Sequence, residues 1–213
     1  ITLIIRSKNL RFVTFSLLAV FTIVSILFFE SYSSYKNKLK SAEVESSNLS
    51  QLLDEQISSS FKKIDIELQT LQDEYKKEKV IDSKRSGYFN KLMALHQKRL
   101  PEMVGFRAVD AQGYFIADSS GVLSKATIKD REHFQNLKDN PRDELVISKP
   151  IISKLNHVWI IVLARPLISS DGKFRGELLG AIALEHFYKL FSFIDTGKNG
   201  FIVAPSKNLL VNV

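Results

Sequence analysis

Two apolar runs decide the fold: Val158-Trp-Ile-Ile-Val-Leu-Ala-Arg165 and Phe174-Arg-Gly-Glu-Leu-Leu-Gly-Ala-Ile-Ala-Leu184, joined across Asp171-Gly172. β-branched and aromatic residues crowd both runs, and Asp-Gly is a strong turn signal, so they are predicted to be neighbouring antiparallel strands of a hairpin. Leu145 to Ile152 reads as a third strand before them. Upstream, Val104 to Val109 and Tyr114 to Asp118 flank Asp110-Ala111-Gln112-Gly113, a second hairpin with Gly where a positive φ is expected. Between the hairpins, Asp130 is expected to cap a short helix that carries Phe134 and Leu137 on one face and ends at Pro141. These elements form an antiparallel sheet with helices set beside it, an α+β fold.

Before Pro101 the pattern is helical. No Gly occurs before Gly87 and no Pro before Pro101. Ile57, Phe61, Ile64, Leu68, Leu71 and Tyr75 step by alternating fours and threes, a heptad seam that Leu49 and Leu53 extend backwards. The seam can pack on its own domain or on a second copy of the chain, and the serines at 46–47, 50 and 58–60 dilute it. A second helix is predicted over roughly Tyr88 to Arg99, with His96 on its apolar side as a packing residue.

Phe12 to Phe29 contains no charged residue, and a helix of that length nearly spans a bilayer. Of the formal net charge of +7, three charges are Arg6, Lys8 and Arg11, just ahead of this run, and Glu30 follows it. This bias predicts residues 1–11 in the cytoplasm, a span over 12–29, and the rest outside the cell membrane or in the periplasm. A cleaved signal peptide is the alternative, but no small-x-small cleavage site precedes Glu30. The remaining positive charge is scattered, with no basic stripe between aromatics, which excludes the footprint of a nucleic-acid binder. The absence of Cys excludes a disulfide framework and a thiol nucleophile. His96, His133, His157 and His186 have no metal-ligand spacing, and no hydrolase or phosphate-loop motif occurs, so neither an enzyme activity nor a cofactor or metal is predicted.

Several phrases in this order carry a resemblance: Leu100-Pro101-Glu102, Val109-Asp110-Ala111-Gln112-Gly113, Asp130-Arg131-Glu132-His133-Phe134, Ile147-Ser148-Lys149-Pro150, Trp159 to Arg165, and Asp171 to Leu179. Over residues 31 to 213 the chain resembles the extracytoplasmic double Cache sensor region of bacterial transmembrane receptors, with two PAS-like modules on one long helix. It is most similar to those of GGDEF diguanylate cyclases. The resemblance implies a stalk or dimerisation helix over 30–79, a membrane-distal module over 80–195, and the start of a truncated membrane-proximal module over 196–213. Thr196 to Val203 and Leu209 to Val211 resemble that second module's opening hairpin.

The resemblance also implies that the distal module binds a small molecule beside the short helix. Its lining positions fall on Arg131, His133, Phe134, Lys149, Ile151, Trp159, Arg165 and Ala181. The amino-acid-binding branch has Arg-x-Trp-Tyr at the helix and an Asp on a later strand. Here Arg131 is kept, but His133 and Phe134 replace the aromatic pair and Ala181 stands near the Asp position. These departures argue against an amino acid and leave Arg131 as a fork for a carboxylate or phosphate. A local salt bridge, to Asp130 for instance, is its structural alternative. Arg165 shares strand parity with Trp159, Ile161 and Leu163 and therefore requires an anionic partner, a ligand or a buried carboxylate. The expected function is a membrane-anchored, homodimeric sensor of a small, anionic ligand that controls a diguanylate cyclase. A histidine kinase or chemoreceptor sensor is the alternative, and a structural coiled-coil interaction protein is the rival from another class.

Overall fold

The computed structural model describes residues 2–78, 83–192, 203–206 and 209–212, with side chains described over 13–77 and 87–192. The chain divides into two compact units, 1–58 and 59–213, and helix α1, Thr2–Glu78, contributes to both. In the first unit α1 carries a window of 18 residues with mean hydropathy 2.2, none of it buried, long and apolar enough to cross a membrane.

The second unit is built on an antiparallel sheet. Its strands are β1 (Met103–Asp110), β2 (Phe115–Asp118), β3 (Val146–Ile147), β4 (Ile151–Ile152), β5 (Trp159–Ile168) and β6 (Phe174–Ala183). The order is β2-β1-β6-β5-β3, with β4 also paired to β5. The two hairpins form at the expected turns: Asp110 Oδ1 accepts from the backbone N–H of Gln112 and of Tyr114, and Gly113 and Gly172 both have positive φ. β5 and β6 run past their predicted ends to Ile168 and stop one residue short of Leu184 respectively.

The register sets two faces. Leu163 pairs with Gly180 and Arg165 with Leu178 on one; Val162 pairs with Ala181 and Ala164 with Leu179 on the other. The first face receives α1, whose seam residues Ile64, Leu68 and Leu71 are fully buried. Glycine at 180 permits the close approach, since a Cβ there would meet Met103, Phe106 and Ile64 within 3.3 Å. Helix α2 (Ser83–Gln97) begins earlier and ends earlier than expected; it joins the same layer through Phe89, which meets Tyr75 edge to face. Buried His96 faces Glu67 of α1. From Phe61 to Tyr75 the seam therefore serves its own domain. A further helix, α4 (Leu184–Ser192), was not anticipated; its Phe187 packs edge to face on Phe61 of α1.

The second face is covered by helix α3 (Glu132–Asp139), with Phe134 and Leu137 buried against Val162, Ala164, Leu179 and Ala181. Two local expectations require correction. The α3 N-cap is Arg131, not Asp130, and no side chain caps it, because the Asp130 carboxylate is turned onto Lys154 instead. The predicted strand from Leu145 to Ile152 is split into β3 and β4 around Ser148-Lys149-Pro150. Pro150 has no N–H to offer the ladder, and Ser148 bridges the break by accepting at Oγ from the Val162 N–H. A separate two-stranded ladder pairs β7 (Val203–Ser206) with β8 (Leu209–Asn212). The hairpin expected in this stretch coincides with that ladder in part; residues 196–202 of it lie outside the described residues.

Candidate ligand pocket

Between the α3 face of the sheet and the segment around β4 lies a cavity of about 40 Å³. Ile160, Val162, Leu179 and Ala181 form its apolar floor, and Phe115, Ile128, Ile151 and Leu155 add to the apolar wall. Three cationic side chains reach the same cavity: Arg107 from β1, Arg131 at the start of α3, and Lys154 just after β4. Two of these are already neutralised. Arg107 Nε donates to Asp118 Oδ2 at 2.7 Å, with both side chains largely buried. Lys154 Nζ binds Asp130 Oδ1 at 2.5 Å and the Thr127 carbonyl at 2.8 Å. That lysine holds the Asp130 carboxyl below the usual carboxylate range.

Arg131 differs. Its Nη2 donates to the Ile152 carbonyl at 2.6 Å, which ties the start of α3 to β4, and among the described residues it has no carboxylate at ion-pair distance. The local salt bridge to Asp130 does not form. A guanidinium keeps further donors free after one carbonyl contact, so Arg131 can meet an incoming anion without first losing an acid.

His133 also lines the cavity. Its Nδ1 stands 3.0 Å from Glu177 Oε1, and both side chains are all but inaccessible, at 3% and 0%. The contact lies off the line of a hydrogen bond, so His133 Nδ1 and both Glu177 oxygens have no hydrogen-bond partner among the described residues.

Of the eight predicted lining positions, Arg131, His133, Ile151 and Ala181 meet at this cavity. Phe134 is buried in the core beside it, packed on Phe174. Lys149 is turned outward to Glu132 at 3.4 Å. Trp159 and Arg165 lie on the opposite face of the sheet: Trp159 is half exposed, and Arg165 binds Asp65 and Asp143. The shared parity of Trp159 and Arg165 is real, but the residues of β5 that reach the cavity are the intervening ones, Ile160 and Val162. Arg107, Lys154 and Glu177 were missed. Glu177 was detectable in principle, because it alternates with Leu179 and Ala181 and must therefore enter the core, where a carboxylate needs a partner.

No protein-family model and no curated protein matches the chain. Solved structures do. The extracellular domain of a proposed histidine kinase, rpHK1S-Z16, superposes with a TM-score of 0.68 at 27% identity, over 77% of this chain and 67% of that one. An extracellular ligand binding receptor from Desulfohalobium retbaense follows at 0.57 and 16%, over 67% of this chain but only 26% of its own length. The sensory domain of the Campylobacter jejuni chemoreceptor Tlp3 with isoleucine bound gives 0.52 and 12%, over 72% of this chain and 65% of that one. The chain thus has the mixed helix and antiparallel sheet fold found in extracellular sensor domains of kinases and chemoreceptors.

Proposed function

We propose that the chain is the extracytoplasmic ligand-sensing region of a membrane-anchored signal-transduction protein, and that its PAS-like module binds a small anion. The observation carrying this reading is Arg131, a guanidinium lining a small cavity with two neutralised cations beside it and, among the described residues, no carboxylate at ion-pair distance. A carboxylate entering there gains a charge-assisted hydrogen bond in a partly desolvated setting, the environment in which such bonds are strongest. The likeness to extracellular domains of receptors, together with an apolar helix long enough to span a bilayer, supports placing the module outside the membrane.

In this reading residues 1–11 are cytoplasmic, 12–29 cross the membrane, and 30–79 form a stalk that pairs with a second copy. Residues 80–195 are the sensing module and 196–213 begin another. Ligand binding biases two conformations of the module, and α1 carries that bias to the membrane. A diguanylate cyclase output is suggested by the Asp-Arg-x-x-Phe and Gly-Glu-Leu-Leu-Gly-Ala phrases. A histidine-kinase output is the second reading, favoured by the 27% identity with the kinase sensor domain.

Thermal-shift screening of the full chain in detergent micelles against carboxylates, amines and nucleotides tests the site. At least one small carboxylate is expected to raise Tm, with the effect lost in Arg131→Ala. A carboxylate hit that survives Arg131→Ala removes that residue from the site, and a screen in which only amines bind overturns the anionic reading. Assays of the parent protein for cyclic-di-GMP synthesis and for autophosphorylation separate the two outputs.

A further inference from the structure

We propose that His133 and Glu177 form a proton-holding pair that sets the polarity of the pocket wall, so that binding of an anion draws one proton from solvent into the pair. This rests on the anionic reading above and deepens it. Glu177 is fully inaccessible on the α3 face of β6, and neither of its oxygens has a hydrogen-bond partner among the described residues. An unpartnered buried carboxylate is strongly disfavoured, and the group beside it is the His133 imidazole, 3.0 Å away through Nδ1. Because Nδ1 stands beside Glu177, the ring nitrogen we assign to the cavity that His133 lines is Nε2.

The proton count then fixes what the cavity wall offers. When the pair holds a single proton, the negative carboxylate places it on Nδ1, the ring nitrogen nearer to it, and Nε2 carries a lone pair and accepts. When it holds a second proton, either as imidazolium with carboxylate or as neutral imidazole with carboxylic acid, Nε2 carries hydrogen and donates. An anion needs the donor. The other charged groups around the cavity cannot make this change at neutral pH: Arg107 is paired with Asp118, Lys154 with Asp130, and Arg131 stays protonated. His133 is thus a specificity-determining residue, and Glu177 its positioning residue.

The consequence is measurable with acetate as the probe and the full chain in detergent micelles. Acetate affinity is expected to weaken, by up to tenfold per pH unit, over the range in which the pair gives up its second proton. His133→Gln abolishes that slope, Glu177→Gln displaces it along the pH axis, and Arg131→Ala weakens binding while keeping it. In the ligand-free chain, nitrogen NMR of the His133 ring provides a second readout, in which Glu177→Gln changes the ring titration. Acetate binding with no slope, or with a slope unchanged in His133→Gln, overturns the pair alone. A ring titration that Glu177→Gln leaves unmoved does the same. Absence of acetate binding at every pH overturns the anionic reading and this coupling together.

Discussion

The Arg165 guanidinium forks onto both oxygens of Asp65, at 2.5 and 3.0 Å, and reaches Asp143 at 3.3 Å. The hydrogen bond to Asp65 raises the Arg165 pKa further, so the guanidinium keeps its charge. Strand parity alone shows that Arg165 needs an anion; it does not show which, because Asp65 lies a hundred residues earlier on another element. Removing one member strands the other, so Asp65→Ala is expected to cost about 3 kcal/mol in urea denaturation, and the double replacement Asp65→Leu with Arg165→Leu clearly less. Asp130 gives a pH signature. Its carboxyl is lowered by Lys154, so its contribution is complete above the unfolded carboxylate pKa and is lost as pH falls through the lower folded value. The stability difference between the natural chain and Asp130→Asn should therefore be constant from neutrality to about pH 5 and close only below about pH 4.

At the scale of elements, periodicity found the pieces that repeat and lost those that depend on one contact. The seam of α1 and the two hairpins follow from spacing and from Gly at positive φ. The break between β3 and β4 depends on how Ser148 meets β5 and on the N–H that Pro150 lacks, and α4 is a nine-residue amphipathic helix hidden behind a strand signal. Gly176 makes the point by its neighbours. Its φ is +140°, and a Cβ there would lie 1.9 Å from the Val109 carbonyl oxygen where β6 meets the end of β1. Gly176→Ala is expected to destabilise by at least about 3 kcal/mol, through both strain and backbone clash. Gly172 also has positive φ but open space around its Cβ position, so Gly172→Ala should cost only about 1–2 kcal/mol. Thermal unfolding of the two variants side by side checks the order.

For the molecule as a whole, the stalk reading predicts contact between copies along the first unit. The chain has no Cys, so a single introduced thiol reports without background. Leu53→Cys, on the seam, is expected to form a disulfide-linked dimer in oxidised membranes, whereas Glu55→Cys, off the seam, should stay monomeric; equal cross-linking of the two refutes the seam as the interface. The sequence by itself determined the apolar span, the seam, the hairpins and the α+β class, because each is written in local spacing and turn chemistry. It also marked Arg131 and His133, through the order of short phrases around α3. Only the tertiary structure decided that Trp159 and Arg165 face away from the cavity, that Arg107 and Lys154 reach it, and that Glu177 stands behind His133. Those facts depend on which sheet face each helix covers and on strand register between distant segments, and neither is a property of any stretch of sequence taken alone.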